Sequence, residues 1–250
     1  MIGVLAIVSL FAATVTGALG YGFSSITVPF ALLLVASKTL NPAIVLVEVG
    51  VNSYAAVLNR RAMRRIWLRV VFVVIGIFPG VALGSLLLSR LDSHTAKVIA
   101  YSALLPLILL QAAGLRFPLR ESRLIGLPFG VGIGTLYSLT TISGPPLALF
   151  FNDRGLNKEE FRVALAMTRV VESVLTLISY SLLGILTWQS AKLALLLTPG
   201  VLLGLPLGHR LIRRLPALTF RRVCISFDAW LVGFGLSWLL AQRGLAPAAR

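Results

Sequence analysis

The sequence predicts an all-α protein that crosses a membrane several times. Hydrophobic residues make up 58% of the 250-residue chain, and charged residues make up only 12%. Soluble domains contain about 45–50% apolar and about 25% charged residues. The runs Val70–Leu88 and Lys192–Leu207 are almost free of charge, and roughly 20 such residues suffice for a helix to cross ~30 Å of hydrocarbon. The short alternating segments of a membrane β-barrel are absent from the sequence.

Apolar segments divide the chain in order. They cover 2–20, 22–37, 42–59, 67–89, 96–114, 124–138, 139–151, 161–184, 190–208 and 223–241. Two adjacent pairs differ from the rest, 2–20 with 22–37 and 124–138 with 139–151. The second member of each pair is short, and glycine, serine, threonine and proline lie at the joints. We expect these pairs to be broken helices or re-entrant hairpins. For the first pair, a full crossing and a re-entrant loop remain alternatives.

Basic residues concentrate in four links between these segments. The links at 59–66, 115–123, 152–162 and 209–222 hold 15 of the 23 lysines and arginines. Because cytoplasmic loops of membrane proteins carry an excess of Lys and Arg, we expect all four links to face the cytoplasm. The N- and C-termini then both face outside. This distribution also argues against a nucleic-acid partner, despite the net charge of +15.

The two halves of the chain resemble each other. Segment 17–34 aligns with 134–151, and the motif at 79–84 (PGVALG) matches that at 199–204 (PGVLLG). With the predicted topology, the halves have opposite orientations in the membrane. We therefore expect two inverted repeats, each with a broken or re-entrant helix pair plus three transmembrane helices. Such repeats are typical of secondary transporters, whose sites form at discontinuous helices near the midplane.

The repeats set the expected domain boundaries. The first transmembrane repeat covers 1–115, a cytoplasmic linker covers 116–123, the second repeat covers 124–242, and a C-terminal tail covers 243–250.

The interrupted segments are the best candidates for a substrate site. A helix that restarts inside the membrane exposes free N–H groups and a positive dipole end. Nearby hydroxyls add neutral donors, so the combination suits an anion. The alternative is that proline and small residues only kink the helices for packing. The predicted substrate-binding residues are Ser24, Ser25, Thr27, Thr140, Thr141, Ser143, Gly144 and Arg169.

Charged side chains inside the predicted spans need a partner, since a charge at the bilayer centre costs about 2.5 kcal/mol or more. Arg169 and Glu172 are three residues apart on one helix and are able to pair. Arg169 is either half of a structural ion pair or the counter-charge for a bound anion, with Glu172 holding its guanidinium. The candidate coupling or ion-pair residues are Glu48, Asn52, Glu172 and Asp228, and the ion they would couple is a proton or sodium.

The sequence argues against an intramembrane enzyme. An intramembrane serine protease needs a Ser–His pair inside the bilayer, but His94 and His209 both fall near segment ends. An aspartyl protease needs two intramembrane aspartates, and only Asp228 lies in a span. With two distant histidines and one cysteine, we expect neither a metal site nor a cofactor. An anion channel with the same site remains an alternative to a transporter.

Both interrupted segments and the PGVxLG motifs resemble the sulfite exporter TauE/SafE family, also called the toluene sulfonate uptake permeases. The likeness rests on GALGYGFSSITVPFALLL and GIGTLYSLTTISGPPLALFF and covers about residues 1–240. The second segment keeps the family's glycine–proline ending at Gly144-Pro145-Pro146, whereas the first has Thr27-Val28-Pro29.

The resemblance implies transport of sulfur-containing oxyanions such as sulfite or organosulfonates, with import and export both represented in the family. We expect a secondary transporter, an exporter, that works by alternating access. Its partners would be a small anionic substrate and membrane lipids, and its expected location is a bacterial inner membrane. The alternative is an anion channel or a transporter of a non-sulfur organic anion.

Overall fold

The computed structural model describes residues 2–58, 60–92, 123–152 and 158–211, together with 95, 96, 98, 99, 102, 106, 154 and 156. Within these residues the chain is all-helical and forms no strand, as the sequence predicts. The helices are α1 (Ile2–Leu19), α2 (Phe23–Ala31), α3 (Ser37–Leu58), α4 (Arg60–Arg90), α5 (Gly126–Thr140), α6 (Gly144–Asn152), α7 (Lys158–Leu182) and α8 (Trp188–Leu211). A short 3₁₀ helix, Arg123–Ile125, precedes α5.

Three of the described helices are long and apolar enough to cross a membrane by length and composition. They are Ser37–Val57, Met63–Arg90 and Trp188–Leu211. The chain is therefore a multi-pass membrane protein. The predicted segment 223–241 and the tail 243–250 lie outside the described residues, as do the linker 116–122 and most of 96–114.

Both expected helix breaks are present. Between α1 and α2 the backbone turns at Gly20 and Gly22, whose φ angles of 87° and 119° lie in the region that only glycine occupies readily. Between α5 and α6 the turn is made by Thr141 at φ 61°, a strained position for a β-branched residue. With nine residues each, α2 and α6 are about 14 Å long. Neither helix crosses the hydrocarbon on its own.

Helices α4 and α5 approach each other closely along their glycines. A Cβ atom at Gly80 would collide with the carbonyl oxygen of Val131, and one at Gly84 with the hydroxyl of Ser138. The hydroxyl of Thr135 donates across this contact to the carbonyl oxygen of Gly80, at 3.1 Å. Small residues spaced four apart allow such close packing in membranes.

Helices α8 and α1 pack in the same way. A Cβ atom at Gly200 would lie 2.8 Å from the backbone nitrogen of Leu10, and one at Gly204 would lie 2.6 Å from the Cβ atom of Ala13. The hydroxyl of Ser9 donates across this contact to the carbonyl oxygen of Leu197, at 2.7 Å. Each PGVxLG motif thus packs against the helix that precedes a break.

Helices α3 and α7 contact each other at the centre of the bundle, and the short helices α2 and α6 also meet. Helix α3 contacts α8 as well, and α7 contacts α4. One end of the bundle is where α3 ends, α4 begins, α7 begins and α8 ends, and we call it the basic end because Arg60, Arg61, Arg64 and Arg65 lie there. The other end, where Lys38 donates to the carbonyl oxygen of Ser89 at 3.3 Å, is called the opposite end.

Candidate functional site

A buried ion pair joins the two central helices. Nη2 of Arg169 on α7 lies 2.5 Å from Oε1 of Glu48 on α3, and the two side chains are 1% and 0% exposed. Arg169 therefore pairs with a carboxylate 121 residues away and not with Glu172 on its own helix. An ion pair is favourable in apolar surroundings only when its remaining donors and acceptors are also bonded.

Two further side chains extend this ion pair. The hydroxyl of Tyr137 on α5 donates to the second carboxylate oxygen of Glu48, at 2.7 Å. The amide of Asn52, one turn along α3 from Glu48, donates to the carbonyl oxygen of Arg169 at 3.4 Å. Glu48 is thus bonded through both of its oxygens, and the candidate ion-pair residues Glu48 and Asn52 both contact Arg169 of α7.

Glu172 occupies a different environment from Glu48. It is fully buried, and Oε2 accepts a hydrogen bond from the hydroxyl of Ser143 at 2.6 Å. Its other oxygen has no partner, and no lysine or arginine among the described residues forms an ion pair with it. Through Ser143, Glu172 contacts the break between α5 and α6.

Hydroxyls on the second broken segment are used for local hydrogen bonds. Thr140 donates to the carbonyl oxygen of Leu136 at 2.7 Å, and Thr141 donates to that of Thr140 at 2.6 Å. With Ser143 bonded to Glu172, each of these three predicted hydroxyls already has an acceptor. They can still accept hydrogen bonds, but they are not free donors.

The hydroxyls of the first broken segment differ from these in their hydrogen bonding. Ser24, Ser25 and Thr27 on α2 are buried, and none of their hydroxyls has a hydrogen-bond partner within the described part of the protein. Nε and Nη1 of Arg169 are likewise buried and unpaired. Most buried polar atoms in proteins are hydrogen-bonded, and an unsatisfied one costs about 1–3 kcal/mol. These donors are therefore the best candidates for contacts with a bound ligand.

The two breaks lie next to each other. A Cβ atom at Gly144 would be 3.1 Å from the ring of Tyr21, which follows Gly20 at the first break. Ile142, at the second break, belongs to the same apolar cluster as Phe23 and Ile26 of α2. The structure thus brings the predicted segments of the two halves together in the protein interior.

A cavity of about 280 Å³ lies at the basic end, between α1, α3, α7 and α8. Its lining residues are Thr16, Gly17, Gly20, Val51, Asn52, Tyr54, Ala55, Arg162, Leu205 and His209. Asn52 is common to the cavity wall and the central polar cluster. The cavity therefore reaches from the basic end to the residues around the ion pair.

One protein family matches nearly the whole chain. The family model described as "Sulfite exporter TauE/SafE" matches residues 5–234. The chain belongs to the TauE/SafE sulfite exporter family. A curated relative from Cupriavidus necator, named "Probable sulfite/organosulfonate exporter TauE", is 30% identical over 233 residues, which cover 91% of this chain and 88% of that protein. No solved structure matches the chain at a comparable level of significance.

Sequence reasoning missed the side chains that hold the second break of this TauE/SafE protein. Tyr180 donates to the carbonyl oxygen of Ser138 at 2.5 Å, and Asn41 donates to that of Leu139 at 2.7 Å. These carbonyls lie in the last turn of α5, where helical carbonyls lack their usual partners. The available signal in the sequence was a tyrosine and an asparagine within apolar segments.

Three further titratable residues considered in the sequence analysis are Asp228, His94 and His209. Asp228 and His94 lie outside the described residues, whereas His209 lies at the end of α8 and lines the cavity. Among the described residues, no group of three or more His, Cys, Asp or Glu side chains is placed to hold a metal ion.

Proposed function

We propose that this protein is a secondary transporter that exports a small sulfur-containing oxyanion, such as sulfite or an organosulfonate, by alternating access. The observation that carries the proposal is the set of buried hydrogen-bond donors without partners, from Ser24, Ser25, Thr27 and Arg169. An oxyanion accepts several hydrogen bonds at once and would satisfy such donors. Family membership and the name of the Cupriavidus necator relative favour sulfite and sulfonates among oxyanions.

In the proposed site, the anion lies between the two broken segments. The first segment supplies the hydroxyls of α2 together with the N–H groups of its first turn, which lack helical acceptors. The second segment, Thr140, Thr141, Ser143 and Gly144, would form the facing wall. Arg169 would supply positive charge through Nε and Nη1 while Glu48 holds its third nitrogen.

Helix packing supports a pair of inverted repeats. If α1–α4 correspond to α5–α8, then the contact of α1 with α8 corresponds to that of α5 with α4. The contact of α3 with α7 and that of α2 with α6 each correspond to themselves, as a two-fold axis between the halves requires. The PGVxLG glycines make the equivalent close contact in both halves.

The difference between the two ends of the bundle supports alternating access. At the basic end, Gly20 borders the cavity. In the repeat alignment its counterpart is Tyr137, which is fully buried in an apolar cluster with Leu88, Leu139 and Tyr180 toward the opposite end. A cavity at one end and a packed aromatic cluster at the other is the asymmetry expected of one end state of such a transporter.

The proposed orientation has the basic end in the cytoplasm of a bacterial cell and both termini outside. Export of an anion needs no coupled ion, because the membrane potential is negative inside. Each 100 mV favours the exit of one negative charge by ~2.3 kcal/mol. Import would need a proton or sodium ion. Glu172 is the best described candidate for carrying it, since Glu48 is engaged by Arg169 and Tyr137.

Flux of labelled sulfite into liposomes that contain the purified protein tests the proposal. We expect flux that saturates with sulfite concentration and is blocked by methanesulfonate but not by acetate. Flux that rises linearly with concentration would favour an anion channel. Equal competition by acetate would point to a transporter of organic anions in general.

A further inference from the structure

We infer that the cavity at the basic end is a second anion site, a loading site, in which Arg162 is the residue that attracts the anion. The inference rests on the proposed transport of an oxyanion and adds a site outside the broken segments. It concerns the side from which an exporter takes up its substrate.

Arg162 is the strongest positive group in the cavity wall. Its Nη2 makes one long hydrogen bond, 3.4 Å to the carbonyl oxygen of Gly17, and it forms no ion pair with any described carboxylate. A guanidinium has five N–H donors in a planar fork that suits oxyanions. Most of these donors therefore have no acceptor among the described residues and are available to a ligand in the cavity.

The rest of the lining matches an anion. His209 is a second basic side chain in the wall, Tyr54 carries a hydroxyl, and none of the ten lining residues is acidic. The hydroxyl of Thr16 is already used, because it donates to the carbonyl oxygen of Ala12 at 2.9 Å. The volume of about 280 Å³ exceeds the ~30 Å³ of one water molecule severalfold. It is large enough for a small oxyanion that keeps part of its hydration shell.

Other arginines of the basic end differ from Arg162. The exposed side chain of Arg69 lies 3.8 Å from Glu160, and the guanidinium of Arg154 lies over the ring of Phe150. Neither lines the cavity. Among the arginines that the structure describes at this end, Arg162 is therefore the one that lines the cavity.

The cavity also leads toward the central site. Asn52 lies in its wall and donates to the backbone of Arg169. Arg162 and Arg169 are seven residues apart on α7, which is about two helical turns or ~10 Å. Charge of one sign in a cleft with apolar walls raises the local concentration of the opposite ion. An anion held by Arg162 is thus placed to move on to Arg169.

Michaelis constants for sulfite, measured in right-side-out and inside-out membrane vesicles, test the loading site. We expect Arg162→Gln to raise KM about tenfold in the vesicles that expose the basic end, which the proposed orientation makes the inside-out ones. This factor corresponds to the loss of one charge-assisted hydrogen bond. In the other vesicles KM should stay within about twofold of the wild-type value.

Two matched variants sharpen the result. Arg162→Lys keeps the charge and should recover most of the affinity. Arg69→Gln removes a basic side chain at the same end but outside the cavity, and it should leave KM unchanged in both vesicle types. If Arg162→Gln leaves KM unchanged in both vesicle types, or raises it equally in both, the loading site is refuted. An effect in right-side-out vesicles alone would support the site and reverse the orientation.

Calorimetric titration of the purified protein with sulfite separates this inference from the proposed function. Binding that is weakened about tenfold by Arg162→Gln supports the loading site even if the wild-type protein moves no sulfite across vesicles. Transport with unaltered binding and KM in this variant would leave the proposed function intact and overturn the loading site. Absence of any sulfite binding by the wild-type protein would overturn both.

Discussion

Arg169 and Glu48 form an ion pair across the contact between α7 and α3, with Nη2 and Oε1 2.5 Å apart and both side chains buried. The two residues come from different halves of the chain, so the pair links the halves at the centre of the bundle. Two nitrogens of Arg169 remain unpaired beside it. Arg169 thus makes a structural ion pair with one nitrogen and keeps two buried N–H groups that have no acceptor among the described residues.

Removal of one partner of this pair should destabilise the fold. Arg169→Met or Glu48→Gln alone should cost about 3–5 kcal/mol, because each leaves the other group buried without its partner. The double variant should be markedly more stable than the Arg169→Met variant, since no unpaired charge remains. Thermal unfolding of the purified proteins in detergent measures these differences.

Transport by the same variants separates the two roles of Arg169. The double variant should fold and still fail to transport sulfite, because the guanidinium donors are absent. If the double variant transports at the wild-type rate, Arg169 is a structural residue alone and does not contact the anion.

Removal of the unpaired hydroxyls of α2 should change stability little, in contrast to the Arg169 and Glu48 variants. Ser24→Ala, Ser25→Ala and Thr27→Val remove donors that lack intramolecular partners, so the melting temperature should change little. The KM for sulfite should rise about tenfold for each hydroxyl that contacts the anion, since hydrogen bonds to charged groups contribute about 1.5–3 kcal/mol.

The matched control is Thr198→Val on α8. Its hydroxyl donates to the carbonyl oxygen of Ala194 within the same helix, so this change should leave KM unaltered. A similar rise in KM for Thr198→Val would indicate that the changes act through helix packing. Unaltered KM in all three α2 variants would remove this segment from the binding site.

Local signals in the sequence were sufficient to predict the helix breaks. Glycine and proline act on the backbone where they stand, so Gly20, Gly22 and the prolines at 145 and 146 indicate interruptions directly. The partner of Arg169 could not be predicted in the same way. Glu172 is near it in sequence, but Glu48 becomes its neighbour only when α3 packs against α7.

The PGVxLG motifs show a second limit of sequence reasoning. Their recurrence indicates duplication, yet the sequence does not tell which helix they contact. In the structure each motif packs against the helix before a break, α5 for Gly80 and α1 for Gly200. Tertiary contacts of this kind depend on the relative placement of helices more than 50 residues apart along the chain.

Those glycine contacts predict a position-dependent effect of adding one methyl group. Gly80→Ala and Gly204→Ala should each destabilise the protein by about 1–3 kcal/mol, because the new Cβ atom would overlap the facing helix. Gly132→Ala on α5 is the matched control, since no atom lies within 4 Å of the added Cβ. This control should be neutral or stabilising by up to ~1 kcal/mol. Equal melting temperatures for all three variants would contradict the close packing.

Tyr180 should stabilise the end of α5 through its hydroxyl. The N–H of Ile142, four residues after Ser138, bonds to the side chain of Thr140 instead of to the Ser138 carbonyl, and Tyr180 donates to that carbonyl. Tyr180→Phe should therefore cost about 1–3 kcal/mol by leaving a buried acceptor unpaired. Thermal unfolding measures the loss, and Tyr54→Phe is a control because Tyr54 is 56% exposed. Equal stability of Tyr180→Phe and wild type would mean that water replaces the hydroxyl.

Glu172 gives the last prediction, which concerns ion coupling. The charged and titratable groups around it are Arg169 on α7, Glu48 on α3 and Tyr137 on α5, and Ser143 donates to one of its oxygens. Glu172→Gln keeps an acceptor for Ser143 and removes the ability to take up and release a proton. If Glu172 couples a proton to the anion, a pH gradient across liposomes will drive accumulation of sulfite by the wild-type protein. The variant will then exchange sulfite without accumulating it. If Glu172→Gln accumulates sulfite to the wild-type level, another residue couples the proton. The glutamine side chain still occupies the position of Glu172 beside the break, so the variant tests proton exchange and not packing.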